Sequence, residues 1–163
     1  KALTWEGKSV ILEIAGKPVF LPEEMGTEKQ EDKGGHMKEL KFYICDTCGN
    51  LIEIIHGSGV TPVCCNNEMR ELVPGTVEAS HEKHIPVCGS DGRTVTVKVG
   101  SAEHPMLPEH FIQWICLQTE KGAQRIMLAP GQKPEAVFVL GPEDKPVAAY
   151  AYCNLHGLWK AEA

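Results

Sequence analysis

No apolar run in the sequence approaches the eighteen or so residues that a membrane-spanning helix needs, which excludes such a helix from this stretch of chain. The N-terminus also lacks the basic, apolar and small-residue order of a signal peptide, and the expected location is the cytoplasm. A basic excess is missing as well. Lys and Arg number 16 against 22 Asp and Glu, for a net charge of −6 and a pI near 5.6. Nucleic acid is therefore not an expected partner, because phosphate contacts want a basic face. Long amphipathic helical patterns are also absent. The apolar runs are short and fit strands of about five or six residues. With 42% hydrophobic residues in 163, a packed core is within reach, as one domain or as a small module joined to a larger one.

What the sequence does have is cysteine. Seven are present, an odd number that includes an adjacent pair. In a non-secreted chain that pattern points to metal ligands before disulfides. Composition divides the chain into three. Residues 1–36 hold two apolar stretches, SVILEIAG and KPVFLPEE, which read as a β-hairpin, then a polar linker, GTEKQEDKGGH. His-Met in KGGHM matches a common cloning site, which would make Met37 the natural start; a short extension packed as an extra hairpin reads equally well. Residues 37–74 are cysteine-rich and too few for a hydrophobic core to hold alone. Residues 75–163 read as all-β. RTVTVKV alternates cleanly, and FIQWICLQ, AQRIMLA, EAVFVLG and KPVAAYAY follow, separated by Gly, Pro and Asp. That spacing predicts a β-sandwich or barrel.

The cysteine-rich segment predicts its own staple. Cys45 and Cys48 form a CxxC followed by Gly49, and Cys64 and Cys65 follow after fifteen residues. Two close thiolate pairs can surround one tetrahedral metal, and from the residues alone zinc and iron are nearly even. The adjacent pair is the awkward feature. Neighbouring side chains diverge, so joint ligation predicts a distorted tetrahedron. A purely structural knuckle is the bland alternative, and structural zinc, worth about 10–16 kcal/mol in small peptides, would suffice for it.

The second pattern is dispersed. His81 and His84 lie in ASHEKHIPV, His104 and His110 in GSAEHPMLPEHFIQW, and Cys153 and His156 in YAYCNLHGLW. All sit in turns or at strand ends. A single histidine of this kind is usually a satisfied core or surface residue, but loops at one end of a sandwich converge in space and can share one ion.

These segments resemble the superoxide reductase family. EKHIPV, VGSAEHPM, EHFIQWI and YCNLHGLWKAE follow in order with H-x19-H-x5-H-x42-C-x2-H spacing. With CDTCGN and CCNNEM in front, the chain from about Met37 onward resembles the two-iron form, desulfoferrodoxin; residues 1–36 lie outside the resemblance. It implies an all-β fold: a small desulforedoxin-like four-Cys metal domain, then an immunoglobulin-like β-sandwich. It implies two irons per chain, one Fe(Cys)4 at Cys45, Cys48, Cys64 and Cys65, and one Fe(His)4(Cys) at His84, His104, His110, His156 and Cys153. The implied reaction is one-electron reduction of superoxide to hydrogen peroxide. Lys83 would attract the anion, and Glu82 would fill the open iron position in the ferric state. A donor such as rubredoxin and a homodimeric assembly are also implied.

Two other functions compete. A rubredoxin-like electron carrier would need a coordinatively closed second site, and a zinc-stapled structural module would leave the histidines incidental. Without the resemblance, Glu82 and Lys83 read as a solvated loop pair. His81 and His56 read as surface residues, Cys88 as an exposed turn thiol and Cys116 as a small core residue. Trp114 and Trp159 read as core aromatics near the site.

Overall fold

The computed structural model describes residues 11–14 and 17–20, in backbone only, and residues 39–163. The chain divides into two units, Lys1–His36 and Met37–Ala163. In the first unit, β1 (Ile11–Ile14) pairs antiparallel with β2 (Lys17–Phe20). The polar linker expected before Met37 lies outside the described residues.

In the second unit the order is β3 (Lys41–Ile44), β4 (Leu51–Ile54), β5 (Val63–Cys64), β6 (Asn67–Glu68), β7 (Arg70–Glu71), one helical turn α1 (His81–His84), β8 (Pro86–Asp91), β9 (Thr94–Val99), β10 (Ile112–Thr119), β11 (Gly122–Met127), β12 (Glu135–Val139), β13 (Pro146–Cys153) and β14 (Gly157–Glu162). A four-stranded sheet, β11-β10-β13-β14, faces a three-stranded sheet, β12-β9-β8, as an immunoglobulin-like sandwich. A smaller sheet, β4-β3-β7, and the β5-β6 hairpin precede it in the chain. All these pairings are antiparallel. No helix among the described residues is long and apolar enough to cross a membrane.

Alternation explains the outer strands. β9 buries Val95, Val97 and Val99 on one face, and β12 buries Ala136 and Phe138 while Val137 and Val139 stay exposed. The central strands β10 and β13 do not alternate, because both of their faces are covered. Ile112, Ile115, Leu117, Ala149, Ala151 and Cys153 join the core between the two sandwich sheets. Trp114, Cys116, Ala148, Tyr150 and Tyr152 point the other way, into a second core with Phe42 and Leu72 from the cysteine-rich segment. A register shift between Ile112 and Trp114 lets both Ile112 and Ile115 reach the inner core.

The second core is aromatic. Phe42 meets Trp114 at 5.1 Å between ring centroids, and Trp114 stacks on Tyr152 at 5.5 Å. Arg125 lies over both Phe42 and Trp114 and pairs with Glu53 on β4. Aromatic pairs of this kind add about 0.5–1.5 kcal/mol each beyond area burial. Trp114 thus belongs to the junction with the small sheet rather than to the histidine cluster, because it sits on the opposite face of β10 from Ile112 and Ile115. Cys116 is fully buried, as expected of a small core residue, and burial pushes its thiol up to about 11. Cys88 lies in β8, half-buried against the inner core, and not in a turn.

Candidate metal centres

The first cluster is made by two local turns. After β3 the chain reverses at Cys45–Asn50, with Gly49 N–H donating to Cys45 O at 2.8 Å and Cys45 N–H donating to Asn50 O at 2.8 Å. The second turn joins β5 to β6 through only Cys65 and Asn66, since Cys64 pairs with Asn67. Both turn residues are left-handed, with φ of 51° and 63°. That is the two-residue hairpin turn that needs positive φ at both central positions. The twist turns the Cys65 side chain back toward that of Cys64, so the adjacent pair converges instead of diverging.

The resulting sulfurs are spaced for a tetrahedron. Cys48 Sγ lies 3.7 Å from Cys64 Sγ, and Cys64 Sγ 4.0 Å from Cys65 Sγ. Sulfurs about 2.3 Å from a common metal stand about 3.8 Å apart at a tetrahedral edge. All four ligand atoms lie within 4.8 Å of one another. Asn50 Nδ2 approaches Cys64 Sγ at 3.6 Å, an outer hydrogen bond to a ligand sulfur. The backbone N–H of Cys48 brings the Cys45 thiol down to about 7. The neighbouring Cys48 sulfur is the largest of the influences that push Cys65 up to about 12. The Cys45 thiolate forms readily, whereas the crowded Cys64 and Cys65 need a cation beside them. Burial points the same way. Between Cys45 and Met69 no residue is buried, so this stretch has no apolar core of its own. An exposed ion pair, Asp46 with Arg70 at 2.7 Å, links its start to its end.

The second cluster is assembled by the sandwich. α1 carries His84, the loop after β9 carries His104 and His110, and the β13–β14 hairpin carries Cys153 and His156. Gly157 closes that hairpin with φ of 67°, and Cys153 Sγ comes within 3.7 Å of His156 Nδ1. The YAYCNLHG run is therefore a strand end and its turn, with both donors facing one point.

The four rings form a square. Neighbouring ring centroids, His84–His104, His104–His110, His110–His156 and His156–His84, lie 4.6, 4.6, 4.8 and 4.7 Å apart. Their planes are close to perpendicular, at 79° to 87°. His84 and His110 stand across the diagonal at 6.1 Å. His84 Nε2 faces His156 Nδ1 at 2.9 Å and His104 Nε2 at 3.1 Å. Two imidazole nitrogens bound at right angles, each about 2.0–2.1 Å from a first-row metal, lie about 2.9 Å apart. His110 Nε2 is buried and has no hydrogen-bond partner among the described residues. An orphaned buried nitrogen is costly, and a metal at the centre of the square is the partner that fits it. Cys153 is fully buried and brings the fifth donor from the core side. Imidazole nitrogens with one thiolate suit iron.

Outer hydrogen bonds fix the rings. His84 Nδ1 donates to Ser80 O at 2.8 Å, and His104 Nδ1 to Pro105 O at 2.6 Å, so each presents Nε2 as a lone pair. Burial lowers the pKa of His84 and His110, and that of His104 to about 4. These imidazoles are neutral and available as ligands near pH 7. Burial raises the Cys153 thiol, and backbone N–H groups of His156 and Leu155 oppose that rise.

The remaining expected residues divide. Lys83 is exposed, and its charge is felt at His110. Glu82 is exposed and outside the five-donor group. Its carboxylate is held low first by its own backbone N–H and then by Ser80. His81 is exposed, edge-on to Trp159 at 5.3 Å, while Trp159 stacks on His84 at 4.8 Å. His56 is exposed beyond the end of β4.

Two positioning residues carry no ligand pattern. Gly100 has φ of +85°, and a Cβ there would stand 2.3 Å from Ala102 O and 2.6 Å from Lys83 O. Only glycine lets this loop close over α1, where Ala102 N–H donates to Glu82 O at 2.9 Å. Asn154 accepts from Phe111 N–H at 2.8 Å and donates to Glu109 O at 2.9 Å, tying the His110 segment to the Cys153 hairpin. An amide residue in the turn between Cys153 and His156 is the available sequence signal.

Comparison with known proteins agrees with both clusters. The family model described as desulfoferrodoxin matches residues 76–162, and that of the desulfoferrodoxin N-terminal domain matches residues 37–72. The desulfoferrodoxin of Syntrophotalea carbinolica is 46% identical over 125 residues, covering 77% of this chain and 98% of that protein. The desulfoferrodoxin of Nitratidesulfovibrio vulgaris is 42% identical over 125 residues, with the same coverage of 77% and 98%. The crystal structure of the superoxide reductase from Treponema pallidum aligns with a TM-score of 0.66 and 42% identity, over 77% of this chain and all of that one.

Proposed function

Since the chain belongs to the desulfoferrodoxin family, we propose that it is a superoxide reductase, an oxidoreductase that converts superoxide to hydrogen peroxide. Two iron sites serve each chain, one of four cysteines and one of four histidines with a cysteine. The observation that carries the reading is the square of imidazole nitrogens closed by the buried Cys153 sulfur, with His110 Nε2 left for a metal.

When bound there, iron supplies the electron and an open coordination position for a small oxygen anion. The chain's own residues do the rest. Burial keeps His84, His104 and His110 neutral, and the carbonyls of Ser80 and Pro105 hold two of them in register. Trp159 covers one face of His84 and keeps water from it. Lys83 draws the anion inward; a whole cleft lined by one sign of charge raises on-rates by roughly 10- to 1,000-fold, and one lysine supplies a part of that. Glu82, beside Lys83 on α1, would be the carboxylate available to the iron in its oxidised resting state. Superoxide takes one electron and two protons, the protons coming from solvent, and leaves as hydrogen peroxide. The exposed edge of the first centre, at Cys48 and Cys65, suits electron entry from a small rubredoxin-like donor. The protein works in the cytoplasm as a homodimer, with residues 1–36 as an N-terminal extension, 37–74 as the four-cysteine domain and 75–163 as the reductase domain.

Stoichiometry tests the function. Reduced, iron-loaded protein given superoxide should yield one peroxide per superoxide and no oxygen. Half a peroxide with half an oxygen would mean dismutation, and no reaction at all would return the chain to electron transfer or structure.

A further inference from the structure

A cavity of about 500 Å³ opens beside the second centre, lined among others by Lys83, Glu103, His104, Met106, Gln132 and Lys133. Lys133 belongs to none of the ligand motifs. Its turn is nonetheless tied to the centre on two sides. Gly131 N–H donates to Met106 O at 2.7 Å, two residues beyond His104. Val99 N–H donates to Pro134 O at 2.8 Å, beside the Gly100 loop that packs on the Lys83 carbonyl. Within the turn, Ala129 N–H donates to Gln132 Oε1 at 2.7 Å. The side chain of Lys133 is thus presented from a braced turn.

Both lysines are exposed, and no ion pair among the described residues engages either ammonium. Glu103 is the one carboxylate among the described lining residues, so cations outnumber anions in this wall. The whole chain carries −6, so an anion meets net repulsion from the protein's overall charge. We infer that Lys133 is a second guiding cation, which with Lys83 draws small monovalent anions into the cavity beside His104. The inference rests on the superoxide reductase reading and adds a residue to it. A unit charge about 10 Å from an anion in water changes its local concentration about twofold, and more beside a low-dielectric wall.

The test measures the second-order rate of reduced, iron-loaded protein with superoxide across ionic strength. Lys133→Gln should slow it about two- to threefold at low salt, and Lys133→Glu about four- to tenfold. Glu103→Gln should raise it about twofold. Differences should vanish near 0.5 M salt, where charges are screened within about 4–5 Å. Lys145→Gln, just before β13 and at the opposite end of that strand from Cys153, is the control and should leave the rate alone. A second readout avoids turnover: nitrate titrated into zinc-loaded protein should shift the amides of Glu103, His104, Met106 and residues 131–133, and Lys133→Gln should weaken those shifts. If Lys133→Gln matches Lys145→Gln in rate, salt slope and nitrate shifts, the inference is overturned. A wild-type protein inert to superoxide would instead sink the functional reading, while nitrate shifts at Lys133 would still uphold the anion funnel.

Discussion

The sulfurs of the first centre come from one short stretch, Cys45 to Cys65, while the donors of the second run from His84 to His156. The first is built where no residue between Cys45 and Met69 is buried; in the second, His84, His104 and Cys153 are buried against a complete sandwich core. Proximity in sequence lets two turns gather ligands without a core, and the metal then serves as the core. Distance in sequence requires the strands to pair first, and the ligands then arrive on a scaffold that stands without metal. The two centres should therefore fail in different ways.

The largest effect is expected from Cys64→Ser. Structural zinc brings about 10–16 kcal/mol of apparent binding energy to small peptides, comparable to the whole stability of a domain, about 5–15 kcal/mol. Amide exchange over residues 46–68 should lose its protection, while β8 to β14 keep theirs and the second centre keeps its visible absorption. Unchanged protection over 46–68 would erase the contrast between the centres.

Gly100→Ala should act in the opposite sense. Its Cβ meets the Ala102 and Lys83 carbonyls, and the left-handed backbone adds strain of about 1–3 kcal/mol. Iron affinity at the second centre should fall about 10- to 100-fold, as for lost outer-shell support, with the first centre's absorption intact. A variant that loads both irons normally would show that the loop does not brace α1.

Asn154→Ala should give the smallest change, about 1–2 kcal/mol in thermal unfolding, because it leaves Phe111 N–H without its side-chain acceptor. Competition with a chelator should show weaker metal retention at the second centre only. Equal weakening at both would mean that the hairpin bond acts on global stability and not on the position of His110.

Much of this plan is legible in the sequence. Strand alternation in RTVTVKV places β9, and the CxxC with its following Gly places a turn. The adjacent cysteines read as a source of distortion only because side-chain divergence assumes an ordinary strand; left-handed backbone at Cys65 and Asn66 removes the conflict. Trp114 reads as a neighbour of the histidines, but a strand covered on both faces gives no alternation from which to infer direction, and the residue faces Phe42. Gly100 carries no signal in sequence, because its role depends on the Lys83 carbonyl, a contact made across a loop.

By itself the sequence determined the candidate donor types, their order and the β class, since these follow from residue chemistry and short-range periodicity; the grouping of one set around a second metal was implied by the family resemblance. Tertiary structure decided how those donors meet: His84 is buried beside Trp159 and joins the square, while His81, one helical turn earlier, stays exposed. It also decided that His84, His104 and His110 stay neutral and that Lys133 shares a cavity with Lys83. Burial and through-space distance exist only once the sheets have packed, and both properties depend on them.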